Sequence, residues 1–246
     1  MTLAATYLGA NGWLLDFSGL RVLVDPWLEG SLSFPPGPWL LEGTLGAPQP
    51  VPEQLDLLLL TQGLADHAHP DTLKLLSKTL PVVGSKAAGR VVRDLGFESV
   101  TSLKPGESVN QQGLRIQATA GAPVPAVENG YLLEHSSGTL YLEPHGFLDP
   151  TIPKQQLDAV ITPMVDLGLP VFGSFVKGKS VLPQLVERFQ PRNVLASTSG
   201  GDVRFKGALS GILQMQGTIE DSGQRLPEGT RWIDSQPGER YCLSQT

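Results

Sequence analysis

The run Leu55–Thr61, Leu-Asp-Leu-Leu-Leu-Leu-Thr, constrains the fold of this chain more than any other segment. Consecutive leucines cannot alternate between core and water, so both faces of the segment have to be covered. The run is too short for a helix of ordinary length, which leaves a strand buried on both faces. Such a strand belongs in a sheet with other layers packed over it. The polar stretch Gln62–His69 that follows reads as a loop. Pro70-Asp71-Thr72 then opens a helix predicted to run to about Leu80, with proline in its first turn. A loop at the end of a buried strand is where α/β folds place ligand-binding groups.

The segments around this run predict more of the same architecture. Thr2–Leu8, Gly12–Phe17 and Leu20–Asp25 are short apolar or alternating runs separated by turn residues, and they read as strands. Residues 26–54 form a long connector with prolines at 26, 35, 36, 38, 48, 50 and 52. Its Phe34, Trp39, Leu40 and Leu41 imply that it folds back onto something apolar, either packing on the core, capping a cleft or making an oligomer contact. A second strand–helix step follows at Pro81–Ser85 and Lys86–Leu95. Further strands are predicted near Val100 and over Leu114–Ala120, Gly130–His135, Thr139–Glu143 and Leu157–Pro163. A helix over Val181–Gln190, a strand over Asn193–Ser197 and a helix over Phe205–Met215 come next. The tail 217–246 is loop-rich, with one strand near Arg231–Asp234. Hairpins alternating with βα steps imply a layered α/β fold with helices on the outer faces, organised as one domain over 1–246. The order strands-then-βα recurs in both halves.

Composition narrows the function classes. A net charge of −6, without clustered Lys and Arg, argues against a nucleic-acid partner. No apolar run approaches the roughly 18 residues of a membrane span, and no leader pattern opens the chain. The one cysteine, Cys242, excludes a disulfide framework and fits a reducing compartment. A cytoplasmic protein acting on a small-molecule ligand or substrate is the expectation, with self-association left open.

Of the four histidines, three fall in two compact motifs. Thr61-Gln62-Gly63-Leu64-Ala65-Asp66-His67-Ala68-His69-Pro70-Asp71 follows the leucine strand. Tyr141-Leu142-Glu143-Pro144-His145-Gly146 ends a later one. Asp-His-x-His offers carboxylate and imidazole donors of the kind that bind Zn²⁺, Mn²⁺ or Fe²⁺. With the opening Tyr7-Leu8-Gly9-Ala10-Asn11-Gly12-Trp13 and the turn Asp25-Pro26-Trp27, these motifs resemble the metallo-β-lactamase superfamily, within it the ascorbate-6-phosphate lactonase-like branch. The resemblance continues to Pro191-Arg192-Asn193-Val194-Leu195 and implies a four-layer αβ/βα sandwich.

The resemblance also implies a metal site, and this sequence departs from it. The family loop reads His-x-His-x-Asp-His, and here Gln62 and Leu64 stand at its first two ligand positions, while Asp66 and His67 match the last two. Gln117–Ala122 lacks the family's next histidine, Pro144-His145 stands where Gly-Asp gives a bridging carboxylate, and the last histidine is replaced within Ser197–Gly201. What the resemblance leaves is at most one divalent ion, Zn or Mn. Its ligands would be Asp66, His67 and His145, with His69 and Glu143 as further candidates and Asp66 as ligand or base. The other reading is that these side chains satisfy their own loops and hold no metal. The corresponding functions are a divergent hydrolase of a small ester, lactone or phosphorylated metabolite, or a non-catalytic binding or scaffolding protein on the same fold.

Weaker signals remain. Gly84-Ser85-Lys86 lacks the spacing of either phosphate-binding loop, and no Gly-x-Ser-x-Gly elbow occurs. The hydroxyls of Thr198 and Ser199, ahead of the helix predicted at Phe205, either bind an anion or form a plain turn.

Overall fold

In the computed structural model the described residues are 2–34, 36–123, 127–170, 173–198 and 203–244. The leucine run forms the strand Leu57–Leu60, and all four leucines are buried. It lies in a seven-stranded sheet in the order Arg240–Cys242, Leu3–Gly9, Gly12–Phe17, Leu20–Val24, Leu57–Leu60, Val82–Gly84 and Val100–Ser102. The hairpin strands at one side are antiparallel, whereas Leu20–Val24 and the strands beyond it pair in parallel.

A second seven-stranded sheet repeats this plan. Its order is Arg231–Ile233, Asn193–Ala196, Ala159–Thr162, Gly138–Leu142, Val127–His135, Leu114–Pro123 and Ser108–Gln111. Here too the hairpin side is antiparallel and the other side parallel. The recurrence expected from the element order is therefore present in the pairing.

Side-chain alternation welds the sheets face to face. Leu3, Ala5, Tyr7, Trp13 and Leu15 of the first sheet share one buried cluster with Ile116, Tyr131, Leu133, Leu142 and Ile161 of the second. The opposite face of the first sheet carries Leu8, Leu14, Leu58 and Leu60, covered by Leu73 of the helix Pro70–Leu75 and by Ala88 and Val92 of the helix Lys86–Asp94. On the second sheet Tyr141 and Val160 are covered by Leu185 and Phe189 of the helix Gly178–Phe189. Helix, sheet, sheet and helix make the four expected layers. Among the described residues no helix is long and apolar enough to cross a membrane.

Two small three-stranded sheets stand apart from these layers. One joins Ser31–Ser33, Glu42–Leu45 and Val203–Lys206, and the other Gly173–Lys177, Asp166–Leu169 and Gln214–Gln216. Part of the proline-rich connector is thus folded into a sheet, but Trp39 is 66% exposed and does not pack on the core as expected. The helix expected over Phe205–Met215 does not form. Phe205 pairs with Gly43, Gly207 has φ +108°, and the Ala208 and Leu209 N–H groups donate to the Trp39 and Leu40 carbonyls. Gly207 lies so close to Leu40 that a β-carbon would come within 2.6 Å of its carbonyl oxygen. With no helix there, the anion reading of Thr198 and Ser199 loses its helix terminus. The helix opened by Pro70 ends at Leu75 instead of Leu80, because Leu76 turns extended and Lys78 Nζ takes the Leu73 carbonyl.

Candidate metal centre

The parallel strands of both sheets end on one edge of the sandwich, and the loops that leave them meet there. The anchor on the first sheet is Asp25, directly after Leu20–Val24. Asp25 is 1% exposed and held at φ +40°, a backbone region that aspartate enters more readily than most residues. Its carboxylate accepts from the Thr61 N–H at 2.8 Å and the Thr61 hydroxyl at 2.5 Å, tying together the ends of two neighbouring strands. Its Oδ2 also lies 2.8 Å from His67 Nδ1. A carboxylate only accepts, so Nδ1 carries hydrogen and Nε2 is the nitrogen turned toward the site.

The loop carrying His67 is shaped by a turn in which Leu64 O accepts from the His67 and Ala68 N–H groups. Asp66 Oδ2 lies 3.4 Å from His67 Nε2. His145 approaches from the second sheet, its ring centroid 5.1 Å from that of His67. The donor atoms of Asp66, His67 and His145 all fall within 4.8 Å of one another, and among the described residues no other such group occurs. His67 is fully buried, His145 is 8% exposed and the Asp66 side chain 19%, so the cluster opens to solvent on the Asp66 side.

Electrostatics bind these groups together. Burial disfavours an imidazolium at His67, but the charges of Asp66 and Asp25, with hydrogen bonds to both, outweigh it and hold His67 well above the usual histidine range. Burial likewise opposes ionisation of Asp66. The charge and hydrogen bond of His67, helped by the charge of His145, prevail and keep the carboxyl below its ordinary value.

The remaining candidates stand elsewhere. His69 faces away as the cap of the helix Pro70–Leu75, its Nδ1 accepting from the Thr72 N–H at 3.3 Å and its Nε2 lying 3.3 Å from Ser31 O. A histidine two residues beyond His67 is thus engaged at the helix end and is not among the three clustered donors. Glu143 also stands outside the cluster of three donors. Its Oε1 accepts from the Ala122 N–H, and its Oε2 from the His145 and Phe147 N–H groups at 3.2 and 2.6 Å. It is the staple of the loop that carries His145. That loop is seated by Gly146, at φ +77°, where a β-carbon would meet the Lys177 backbone at 2.6 Å. The Thr198 hydroxyl lies 3.0 Å from Asn11 Oδ1 and 2.7 Å from Pro144 O, bridging the first hairpin and the His145 loop. Ser199 lies outside the described residues.

In the sequence Asp25 reads only as part of a turn motif, with no link to His67. Its position immediately after a buried strand, level with Thr61, was the available signal. Asn11 carried none. A cavity of about 710 Å³ between the helix Gly178–Phe189 and residues 225–230 includes none of these groups.

The donor set fits one divalent ion. Two imidazoles and a carboxylate suit Zn²⁺ or Mn²⁺, and Asp66 Oδ1 is buried and accepts no hydrogen bond from another described residue. Asp66 Oδ2 and His67 Nε2, 3.4 Å apart, are near enough for both to hold one ion.

The family described as Beta-lactamase superfamily domain matches residues 4–197, and the chain belongs to it. A UPF0173 metal-dependent hydrolase of Methanopyrus kandleri is 25% identical over 198 residues, covering 76% of this chain and 79% of that protein. Among solved structures, the chain is similar to Igni18, a metallo hydrolase from Ignicoccus hospitalis, with TM-score 0.67, 15% identity and all of both chains covered. It is also similar to the isothiocyanate hydrolase from Delia radicum gut bacteria, with TM-score 0.69, 16% identity, and 98% of this chain and 100% of that one covered. At such identities the structural likeness is one of fold, and the fold is that of the metallo-β-lactamases.

Proposed function

We propose that this chain is a metal-dependent hydrolase working through a single ion held by Asp66, His67 and His145. The observation that carries the reading is the convergence of these three side chains, from loops of two different sheets, within 4.8 Å. The relatives' names point to the same chemistry. The opening hairpin and Asp25-Pro26-Trp27 resemble the ascorbate-6-phosphate lactonase-like branch, so small lactones, esters and phosphorylated metabolites are the substrate classes of choice. We place the activity in the cytoplasm and in one domain spanning the chain.

A divalent ion, when bound, supplies Lewis acidity and brings the ionisation of water toward neutral pH. The protein's own residues prepare for it. Asp25 fixes the His67 ring and aims Nε2, and Glu143 fixes the main chain that presents His145. Asp66, held below its ordinary value, stays ionised at neutral pH. An ionised carboxylate beside two imidazoles suits the role of anionic ligand. Burial of both histidines keeps bulk water from competing for their nitrogens.

Protein purified without added metal and then loaded with Zn²⁺ or Mn²⁺ should turn over members of a panel of lactones, esters and phosphodiesters. Asp66→Ala and His67→Ala should each abolish this turnover. Equal activity in wild type and both variants would overturn the reading. A metal-free binding protein is the second reading, favoured by Gln62 and Leu64 at family ligand positions. Absence of stoichiometric metal after loading would select it.

A further inference from the structure

The site contains one polar side chain that neither the family pattern nor the sequence reading assigns. Asn11 sits in the turn of the first hairpin and is 5% exposed. Its Nδ2 lies 3.3 Å from His67 Nε2, the nitrogen turned toward the site, and 3.3 Å from the Asp66 carbonyl oxygen. Its Oδ1 accepts from the Thr198 hydroxyl at 3.0 Å. The Asp66 carbonyl, which only accepts, favours this orientation.

An amide nitrogen is no metal ligand, but the amide oxygen is, and the surroundings allow the two to exchange places. Thr198 is the pivot. Its hydroxyl donates to Asn11 Oδ1 as the carboxamide now stands, and its second acceptor, Pro144 O, is 2.7 Å away. If the carboxamide turns over, Thr198 can donate to Pro144 O and accept from Asn11 Nδ2. The turn gives up the hydrogen bond to the Asp66 carbonyl and the contact with His67 Nε2, at a cost of about 1 kcal/mol each. The oxygen would then occupy the position 3.3 Å from His67 Nε2 that Nδ2 holds now. That separation is close to the 3.4 Å between Asp66 Oδ2 and His67 Nε2, so both oxygens would reach an ion held at His67 Nε2.

We propose that Asn11 is a fourth protein donor of this site, turning its carboxamide so that Oδ1 faces an ion held by Asp66, His67 and His145. The inference rests on the single-ion reading above and deepens it. The first hairpin then supplies a neutral oxygen to the ion held by the Asp66–His67 pair.

Zn²⁺ affinity, read by competition with a chromophoric chelator on the full chain, tests it with three variants. Asn11→Leu removes the donor and should weaken binding about tenfold. Asn11→Asp keeps an oxygen and adds charge, so it should bind at least as tightly as wild type. The Co²⁺-loaded protein should show a changed visible absorption in Asn11→Leu. If Asn11 serves only as a hydrogen-bond donor to the Asp66 carbonyl, aspartate fails as leucine does, and Asn11→Asp binding as weakly as Asn11→Leu would overturn the proposal. Should Asn11→Asp not fold, unchanged affinity and an unchanged Co²⁺ spectrum in Asn11→Leu overturn it alone. Asp66→Ala separates the two levels. Loss of binding in Asp66→Ala with none in Asn11→Leu removes the fourth donor and leaves the single-ion reading standing. No binding by wild type removes both.

Discussion

The two sheets deliver one histidine each to the site, and each uses a buried carboxylate to do so, but the carboxylates grip different things. On the first sheet Asp25 holds the imidazole of His67 itself, through Nδ1, and ties Thr61 to the same point. On the second sheet Glu143 holds the main chain on either side of His145 through the His145 and Phe147 N–H groups. One side of the site is thus fixed at the level of a ring and its protonation, the other at the level of a loop. The halves share a sheet topology, yet repetition of the topology has not carried over to the way the ligands are held.

Removing Asp25 should have the largest effect. Asp25→Ala leaves His67 and the Thr61 N–H buried without their shared acceptor, and breaking a buried charged pair costs about 3–5 kcal/mol. The midpoint of urea unfolding should fall accordingly, and metal affinity should drop by about 10–100-fold as the ring loses its orientation. Glu143→Gln should cost less, about 1–3 kcal/mol, because one carbonyl oxygen still accepts while the new NH₂ confronts a main-chain N–H. Its effect on metal affinity should stay below that of Asp25→Ala, since the loop remains partly stapled. If titration of both variants with Zn²⁺ gave equal losses, the distinction between ring-holding and loop-holding carboxylates would fall.

The same contrast explains what the sequence made legible. The leucine strand, the first three strands and the two sheets' parallel steps are visible because their burial follows from local apolar pattern. Asp66, His67 and His145 are visible because their residue types are rare here and cluster in short motifs. His69 and Glu143 share those motifs, and chemistry alone cannot separate them from ligands. One is taken by a helix terminus and the other by main-chain donors, and both demands arise only once the loops are folded. The helix expected over Phe205–Met215 was lost for a similar reason. Its apolar residues suit a helix face, but Gly207 seats against Leu40 and Phe205 pairs with Gly43, partners far off in the chain. Leu73, Leu76 and Leu80 are all buried at helical spacing, although only the first lies in the helix, so periodicity overran its end.

The smallest predicted effect sharpens the account of the second sheet. Asp149, after the His145 loop, accepts from the Ala120 N–H at 2.8 Å and from the Thr151 N–H and hydroxyl at 2.9 and 2.6 Å. Burial pushes its carboxyl up, but these hydrogen bonds, with the charge of Arg188, bring it below its ordinary value. A folded-state value below the unfolded one means stability that is complete above about pH 4 and is lost as the pH falls through the lower folded value. Asp149→Asn should therefore flatten the acid limb of the stability profile while costing only about 1 kcal/mol near neutral pH. Zn²⁺ affinity should not change, because Asp149 braces the strand and loop around the site without holding the ring of His67 or the main chain of His145. An unchanged acid limb would remove Asp149 from the loop-holding carboxylates and leave that role to Glu143.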